Sequence, residues 1–450
     1  MSAFKTLKKS IPPALINRYH LALAFLGNKI YGSPSKKLIL IGVTGTKGKT
    51  TVAYLIWQIL EKNNLRSALS STVFLSAGGD KEKNLTKMGM PGRFFLPRLL
   101  RRALQNQALY AVVETSSEGI LQHRQKFLDY DTVVFNNLSP EHIERHGGFK
   151  EYRQEKEKLF KQCAKNHVLN LGDPSVRHFL KYPARSKWGV LLEQPEKNGK
   201  YQRKISPTEV NHLVEGKMTE DGLFCLKEWL VMGEFQKKLI FEQEHRPVFE
   251  GRFNLLNLLL AYAALRSLDL PPEKISEFFR RLKLPPGRIQ EIKSKKIDFR
   301  IFLDYAHEPL SLKSVLEYGR EILPPKKKLI CLIGGQGGGR DRWKRGAMGE
   351  LAGRLCDKVI IGLEDPYEED PEQINKDILA GVLKNSVFQL NKNVWTFSDR
   401  RKALEKALKI ARPGYVVILC GKGGEKKMCV GDQAVRWDEE KEVKQIIQFL

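Results

Sequence analysis

The 450-residue sequence predicts an α/β protein with two separate, mostly parallel sheets. Two observations support this prediction. Apolar runs rich in β-branched residues alternate with helical patterns along the chain, which is typical of parallel sheets covered on both faces. The alternation stops at "LPPGR" (284–288), where two prolines and a glycine interrupt any regular element. We therefore expect a basic N-terminal segment (1–37), a central domain (38–285) and a C-terminal domain (286–450).

The central domain begins with apolar runs that end in polar residues, which is the pattern of buried parallel strands. These predicted strands are "KLILIGVTG", "YAVVETSS" and "DTVVFNNLS". Helices are expected over 50–63 and 94–105. Residues 194–248 are more polar and irregular, and short antiparallel strands and turns are expected there.

The C-terminal domain repeats the alternation more regularly. Its predicted strands are "DFRIFLDYA", "KKLICLIGG", "DKVIIGLED", "NVWTFSD" and "GYVVILCGKGG". Its predicted helices are "PLSLKSVLEYGREI", "RGAMGELAGRL", "PEQINKDILAGVL" and "DRRKALEKALKIA". Ligands of such Rossmann-like sheets gather at the carboxyl ends of the strands. The stretches "DYAHEP", "GGQGGGRDR", "EDPY" and "GKGGE" fall at those ends.

The charge balance is strongly basic, with 77 Lys and Arg against 51 Asp and Glu and a net charge of +26. This charge favours anionic partners in general. The basic residues are spread along the chain, which argues against a specific nucleic-acid surface. Six cysteines without a C-x-x-C pair indicate reduced thiols and a cytoplasmic protein.

The N-terminal segment holds seven Lys or Arg and no acid, and two interpretations of it stay open. It is either a basic amphipathic segment that makes peripheral contact with a membrane surface or a helix packed on the domain behind it. Its apolar piece "LALAFLG" is too short to span a bilayer.

The stretch "GVTGTKGKTT" (42–51) has the features of a phosphate-binding loop between a strand and a helix. Gly45 and Gly48 let backbone N–H groups surround phosphate oxygens at the positive end of the helix. Lys49 can reach the terminal phosphates, and the hydroxyl of Thr50 or Thr51 can bind Mg²⁺. A plain tight turn explains the glycines but not the G-K-T-T run, so the sequence predicts a P-loop-type ATPase domain. The leading glycine stands one residue earlier than in the usual pattern.

Three further residues of the central domain could take part in this chemistry. Glu114 closes a predicted strand, where a carboxylate can bind Mg²⁺ directly or through water. His142 follows another strand end, so a shared metal site is plausible. Lys156 lies between Glu155 and Glu157, and that pattern alone indicates a solvated helix face.

Taken together, the motifs resemble those of the Mur ligases in order and spacing. The matching stretches are "GVTGTKGKTT", "VETSSEG", "NNLSPEHIERHG", "YRQEKEKLF", "GRFNLLN", "PPGR", "LDYAHEP" and "GKGGE". The resemblance runs from about Leu38 to the C-terminus and is strongest to the branch that adds the third stem-peptide residue to UDP-MurNAc-dipeptide. The early glycine is then that family's own form of the loop. The resemblance implies an ATP-dependent amide ligase, in which a substrate carboxylate attacks the γ-phosphate and an amine displaces phosphate from the resulting acyl phosphate.

The resemblance also implies roles by motif position. Residues expected around ATP are Gly45, Thr46, Gly48, Lys49, Thr50, Thr51, Asn254, Arg288, Asp304, Tyr305 and His307. Two Mg²⁺ ions are expected at Thr50, Glu114, His142 and Lys156, the last aligning with the lysine that the family carbamylates. Carbamylation turns a cation into an anion that can bind a metal. Substrate contacts are expected from Ser116, Arg340, Asp365 and Glu425, with Arg340 at the α-carboxylate and Glu425 at the amino group of the incoming amino acid. For Asn254 the alternative is a helix N-cap.

Several positions depart from the family pattern. Only about 37 residues precede the strand that leads into the phosphate-binding loop, so the N-terminal domain that binds UDP in this family is expected to be missing. The D-N-P-R loop, whose arginine clamps diaminopimelate, is "EDPY" here, and Tyr367 cannot form the bidentate fork of an arginine. The stretch "GKGGE" replaces the more usual G-K-G-H-E. Glu118 occupies a position where the most similar members of the family have His. The amino acid that is added therefore stays open.

Three functions are compatible with these features. The leading one is a monomeric ligase that couples a muramyl peptide, or a related cell-wall precursor, to an amino acid. A folylpolyglutamate-synthase-like ligase is the second, because such enzymes also lack the UDP domain. A nucleotide-dependent nucleic-acid-binding protein is the third, motivated by the charge of +26.

Overall fold

The computed structural model describes residues 12–140, 146–191, 251–339 and 342–450, and short strands at 194–195, 201–202 and 230–231. Contacts within the chain divide it into two compact units, Met1–Lys283 and Leu284–Leu450. They are called the N-terminal unit and the C-terminal unit below. Most of the irregular stretch 194–248 lies outside the described residues, as do His142 and Arg340.

The N-terminal unit is built on a sheet with nine strands among its described residues. In chain order these strands are β1 (Ile39–Thr44), β2 (Ser67–Ser70), β3 (Phe74–Ala77), β4 (Glu82–Lys83), β5 (Tyr110–Glu114), β6 (Thr132–Phe135), β7 (Asn166–Asn170), β8 (Ser186–Leu191) and β11 (Leu230–Val231). Two further strands, β9 (Gln194–Pro195) and β10 (Tyr201–Gln202), pair with each other in antiparallel fashion. The spatial order is β11-β8-β7-β6-β1-β5-β2-β3-β4, and all neighbours are parallel except β2–β3 and β3–β4.

Helices cover both faces of this sheet. They are α1 (Pro13–Ile30), α2 (Lys49–Lys62), α3 (Phe95–Gln105), α4 (Ser117–Leu121), α5 (Phe149–Gln162), α6 (Arg177–Leu180), α7 (Arg252–Arg266) and α8 (Pro272–Ser276). Alternate strand residues face opposite sides, so Ile41 and Val43 pack with α2 and α7, whereas Leu40 packs with α3 and α5. The strands are apolar on both faces because both faces are buried.

The C-terminal unit holds a six-stranded sheet within the described residues. Its strands are β12 (Gln290–Ile292), β13 (Arg300–Asp304), β14 (Leu329–Ile333), β15 (Lys358–Gly362), β16 (Val394–Phe397) and β17 (Val416–Cys420), and β18 (Lys427–Val430) and β19 (Gln433–Arg436) form a separate hairpin. The order is β12-β13-β17-β14-β15-β16, with only β12 antiparallel to its neighbour. The helices are α9 (Pro309–Glu321), α10 (Trp343–Leu355), α11 (Pro371–Val382), α12 (Arg400–Lys409) and α13 (Glu439–Gln448).

The predicted α/β class with mostly parallel sheets is confirmed. The predicted strands and helices of the C-terminal domain are all present, although α10 begins two residues before its predicted start. The strands β2, β7 and β8 of the N-terminal unit were not predicted from the sequence. Neither were the antiparallel edge strands β3, β4 and β12 and the β18–β19 hairpin, which are only two to four residues long and therefore lack the apolar run that marks a buried strand. Among the described residues, no helix is long and apolar enough to cross a membrane.

Candidate functional site

The loop between β1 and α2 depends on glycine at Gly48. This residue is the N-cap of α2 and has a φ of 77°, a left-handed value that favours glycine. A Cβ there would lie 2.2 Å from Asn136 Nδ2 and 2.4 Å from Asn257 Oδ1. Both the conformation and the close approach therefore exclude a side chain at this position.

Asparagines from two other elements hold this loop in place. Asn136 Nδ2 donates a 2.8 Å hydrogen bond to Asn257 Oδ1 of α7. Asn137 accepts one from the Lys47 N–H through its side-chain oxygen and one from the Thr46 N–H through its carbonyl oxygen, each at 2.8 Å. Asn136 and Asn137 were not predicted as site residues, although the polar ending of "DTVVFNN" was a signal for them.

The loop also positions Lys49 and leaves the start of α2 open to an anion. Lys49 Nζ donates a 2.8 Å hydrogen bond to the carbonyl of Thr46, and Thr46 Oγ1 lies 3.1 Å from Tyr152 OH. The N-cap Gly48 has no side chain that could cap the first turn of α2. Free N–H groups at a helix N-terminus bind phosphate well, so the arrangement fits the triphosphate of ATP.

Glu114 lies beside Thr50 because β5 is the neighbour of β1 in the sheet. Thr50 Oγ1 donates a 3.0 Å hydrogen bond to Glu114 Oε2, and Thr72 donates to the same carboxylate through its N–H at 2.7 Å and its hydroxyl at 2.9 Å. An octahedral Mg²⁺ with ligands at about 2.1 Å spaces neighbouring oxygens about 3 Å apart. The Thr50 and Glu114 oxygens therefore have the separation of two ligands of one ion. Among the described residues, no three His, Cys, Asp or Glu side chains form a metal cluster, so phosphate oxygens or water would complete the coordination.

Lys156 lies on the buried face of α5, and its interpretation as part of a solvated face is wrong. Its side chain is 1% exposed, and its Nζ donates a 2.8 Å hydrogen bond to the carbonyl of Gly45 in the loop. The same nitrogen lies 4.6 Å from the centre of the Tyr152 ring. The neighbouring Lys158 and Glu155 form a surface ion pair with each other instead. The fold therefore brings the Lys156 nitrogen to the phosphate loop.

Two other expected residues of this unit have defined positions. Asn254 is buried in the first turn of α7, whose N-cap is Gly251, so the N-cap alternative for Asn254 is wrong. Ser116 caps α4, because its hydroxyl accepts a 3.1 Å hydrogen bond from the Gly119 N–H. The expected ligand contacts of both residues stay predictions.

In the C-terminal unit the "PPGR" and "LDYAHEP" motifs come together. The Arg288 guanidinium lies 4.7 Å from the centre of the Tyr305 ring, and His307 Nδ1 lies 2.7 Å from the Tyr305 carbonyl oxygen. The Asp304 carboxylate accepts hydrogen bonds from the N–H groups of Ile289 and Ala306, each at 2.8 Å. Burial, aided by the charge of a nearby carboxylate, raises the pKa of Tyr305 far above its usual value.

A buried charge cluster lies at the carboxyl ends of β15 and β17. Lys422 is fully buried, and its Nζ donates hydrogen bonds to Asp365 Oδ1 at 2.9 Å and Glu425 Oε2 at 2.8 Å. Burial lowers the pKa of Lys422, but the two carboxylates outweigh it, and the net shift is upward. The cluster thus keeps a lysine charged inside the protein. Lys422 was not identified from the sequence, although it belongs to "GKGGE".

Glu364 belongs to the same cluster but is held differently. It is 1% exposed, and its Oε2 accepts no hydrogen bond within the part of the chain that the structure describes. Burial, together with the charges of Asp365 and Glu425, raises the pKa of Glu364 to about 7, even though Lys422 and Arg400 act in the opposite direction.

Comparisons with known proteins identify the family. Residues 43–265 match the family described as "Mur ligase middle domain" and residues 287–423 match "Mur ligase, glutamate ligase domain". The UDP-N-acetylmuramoyl-L-alanyl-D-glutamate–2,6-diaminopimelate ligase of Caldanaerobacter subterraneus is 31% identical over 433 residues, which cover 96% of this chain and 83% of the relative. The ligase of the same name from Geobacillus kaustophilus is 30% identical over 456 residues, covering 97% and 84%. This chain belongs to the Mur ligase family.

Solved structures of Mur ligases have the same fold. One is a UDP-N-acetylmuramoyl-L-alanyl-D-glutamate–2,6-diaminopimelate ligase, which is 26% identical in sequence and has a TM-score of 0.56. The superposition covers 92% of this chain and 78% of the ligase chain. Another is a MurF ligase from Thermotoga maritima in complex with ADP, which is 16% identical and has a TM-score of 0.59. The superposition covers 96% of this chain and 83% of the MurF chain. As a Mur ligase, this chain is an ATP-dependent carbon–nitrogen ligase, which confirms the predicted enzyme class.

Tyr367 is the last residue of the "EDPY" loop, which takes the place of the D-N-P-R motif described above. Its side chain is 37% exposed, and its φ of 52° is left-handed. Its N–H donates to the Cys429 carbonyl at 3.2 Å, and its carbonyl accepts from the Gly431 N–H at 2.7 Å. The backbone of the "EDPY" loop is therefore fixed against the β18–β19 hairpin, while the tyrosine ring is partly open to solvent.

Proposed function

We propose that this Mur ligase adds an amino acid to the peptide carboxylate of a UDP-N-acetylmuramoyl peptide, through an acyl phosphate made with ATP. The observation that carries this proposal is the pairing of the Thr50 hydroxyl with the Glu114 carboxylate at the edge of a phosphate-binding loop. The names of the relatives supply the substrate class. The two named relatives act on diaminopimelate, but Tyr367 leaves the identity of the amino acid open here.

In the N-terminal unit, each residue has a defined task in the first half-reaction. The N–H groups around Gly45 and Gly48 and the Lys49 ammonium bind the phosphates of ATP. Thr50 and Glu114 would hold Mg²⁺, and the ion would supply neutralisation of the negative charge on the phosphates. His142, which lies outside the described residues, is proposed at a second Mg²⁺ together with Lys156.

Lys156 is proposed to act as a carbamate. The neutral amine adds to carbon dioxide, forms an N–C bond and releases one proton, which leaves a carboxylate on the side chain. The carbamate nitrogen keeps one N–H, so the 2.8 Å hydrogen bond to the Gly45 carbonyl can persist. The modification would replace a buried cation with an oxygen ligand for Mg²⁺, the type of ligand this ion prefers.

The C-terminal unit is proposed to bind the adenine nucleotide and the incoming amino acid. The proposed nucleotide residues of this unit are Arg288, Asp304, Tyr305 and His307. Asn254 is proposed as a nucleotide residue of the N-terminal unit. For the amino acid, Arg340 is proposed to pair with the α-carboxylate and Glu425 with the amino group, while Asp365 holds Lys422 in place. A zwitterion requires one site of each charge, and this set supplies both.

The substrate is best tested by phosphate release from purified protein with ATP and Mg²⁺. We expect release only when a UDP-muramyl peptide and an amino acid are both present. The same peptide without UDP is the matched control, because it shows whether the nucleotide sugar is bound. Release with folates and glutamate would establish the folate-type function instead. Stimulation by DNA or RNA that falls steeply with salt would indicate a nucleic-acid-dependent ATPase.

The carbamate is tested separately. Intact mass of gently handled protein should exceed the sequence mass by one carbon dioxide, and Lys156→Ala should remove this increment together with activity. Short carboxylic acids should partly restore the activity of Lys156→Ala, whereas bicarbonate should not. The control is Lys158→Ala on the exposed face of the same helix. An unmodified lysine in a fully active enzyme would refute the proposed role.

A further inference from the structure

Helix α1 is attached to the N-terminal unit by one face only. Gly27 is buried there, and a Cβ on it would lie 2.4 Å from the Arg93 carbonyl oxygen. Near the helix start, Asn17 Oδ1 lies 2.6 Å from His123 Nε2. Close backbone packing and a hydrogen bond thus fix which face of α1 points outward.

The outward face of α1 is apolar. Leu15, Tyr19, Leu26 and Ile30 are 58%, 59%, 47% and 66% exposed. At about 100° per residue, these four side chains fall within a sector of about 60°. We call them the α1 stripe. A continuous stripe of large apolar side chains on a surface indicates a binding partner, unlike single exposed apolar residues.

Further exposed aromatic residues lie at the start of α3, where the chain packs against α1. Phe94 and Phe95 are each 38% exposed, and the Phe94 Cα lies 3.4 Å from the Cβ position of Gly27. Exposed apolar side chains are therefore present both on α1 and at the start of α3. Phenylalanine and leucine are typical of the apolar face of helices that lie in a membrane interface.

The charged residues of α1 and α3 are all cationic. Arg18 and Lys29 are exposed on α1 beside the stripe, and the sequence has no Asp or Glu before Glu61. Residues 83–113 likewise contain no acid, while α3 exposes three arginines, Arg98, Arg101 and Arg102. An apolar stripe with a cationic border complements an anionic lipid surface. A second copy of the chain fits less well, because a two-fold contact would place the cationic borders against each other.

We propose that the α1 stripe binds the surface of an anionic phospholipid bilayer, with α1 lying in the plane of the headgroups. The apolar side chains enter the interface, and Arg18 and Lys29 contact lipid phosphates. This binding is independent of the ligase reaction, because the α1 residues are not among those assigned to the active site.

Vesicle flotation of the purified full-length chain tests this proposal. We expect it to float with vesicles of phosphatidylglycerol and phosphatidylcholine and not with phosphatidylcholine alone, and high salt should weaken the binding. Leu15→Gln/Leu26→Gln should lower the partition coefficient at least about tenfold, since it removes two apolar anchors. Arg18→Gln/Lys29→Gln should lower it only for the anionic vesicles.

Matched controls distinguish binding through the α1 stripe from nonspecific binding of the protein to vesicles. Val387→Gln removes a 70% exposed apolar residue of the C-terminal unit, and Lys402→Gln/Lys409→Gln removes two exposed cations of α12. Both controls should float like the wild type, and all variants should keep the wild-type melting temperature and phosphate release. The proposal is overturned if the wild type does not float or if the α1 variants float equally well. It is also overturned if light scattering shows a dimer that Leu15→Gln/Leu26→Gln dissociates, because the stripe would then be a self-association surface.

Discussion

The two units stabilise their carboxylates in opposite ways. In the N-terminal unit, the side chain of Glu114 accepts hydrogen bonds from the neutral groups of Thr50 and Thr72. In the C-terminal unit, Asp365 and Glu425 share the buried ammonium of Lys422. A carboxylate held by neutral donors keeps its negative charge available for a metal ion. A carboxylate already paired with a cation is oriented by the protein itself. The first arrangement suits a site that binds Mg²⁺, and the second suits a site that positions a small zwitterion.

The largest effect is expected for Lys49→Ala in the N-terminal unit. Removing the ammonium takes away a charge that stabilises phosphate in the transition state, so kcat should fall at least about a hundredfold. Stability should change little, since the Lys49 side chain is partly exposed and its ammonium bonds the Thr46 carbonyl of the loop. Phosphate-release kinetics and thermal melting measure the two effects.

The matched control for Lys49→Ala is Lys47→Ala in the same loop. Lys47 is fixed through its backbone N–H and carbonyl, which the substitution leaves in place. It should keep most of the activity. Equal losses in both variants would mean that the net charge of the loop matters rather than the position of Lys49.

The corresponding change in the C-terminal unit is Lys422→Met, and it should act on stability as well as on binding. The substitution leaves the buried Asp365 and the half-buried Glu425 without their cation, which should cost about 3 kcal/mol of unfolding free energy. The KM for the amino acid should rise because Glu425 loses its orienting partner. Denaturant melts and initial rates measure both quantities.

Two further variants sharpen this result. Lys422→Met/Asp365→Asn should recover part of the stability, since it removes one of the two carboxylate charges that have lost their cation. Lys426→Met, at the exposed neighbouring lysine, should behave like the wild type. A loss of stability in Lys426→Met as large as in Lys422→Met would show that the buried cluster is not its source.

Glu364 should make the stability of the C-terminal unit depend on pH. Its pKa is raised from 4.5 to about 7, so between these values the folded protein binds a proton that the unfolded chain does not. Stability from this group is therefore complete below about pH 4.5 and is lost as the pH rises through 7. The loss amounts to at most about 3 kcal/mol. Glu364→Gln should flatten the decrease, as measured by denaturant melts from pH 5 to 8, while the exposed Glu317→Gln should not. An unchanged slope in Glu364→Gln would assign the pH dependence to other groups.

The fold was largely predictable from the sequence, because buried parallel strands leave long apolar runs and strict alternation with helices. The loop residues Gly48, Lys49 and Thr50 were predictable for a related reason, since one continuous motif encodes their geometry. The position of Lys156 was not, because its sequence neighbours are charged and only the helix face decides that it is buried. The contacts of Asn137 with the loop and of Lys422 with Asp365 depend on the order of the strands in each sheet. Sheet order is a property of the whole chain, and no local pattern in the sequence specifies it.

The smallest expected effect is a change of amino acid preference in Tyr367→Arg. The backbone is already left-handed at this tyrosine and is fixed by the β18–β19 hairpin, so an arginine meets no additional backbone cost. If the loop faces the amino acid, the new guanidinium offers a bidentate partner for a distal carboxylate. The ratio of kcat/KM for diaminopimelate over lysine should then rise about tenfold. Leu390→Arg adds the same charge at an exposed site of the unit and should leave this ratio unchanged. If the ratio is also unchanged in Tyr367→Arg, the "EDPY" loop does not contact the distal end of the incoming amino acid. The specificity for the amino acid would then have to come from the charged cluster around Lys422.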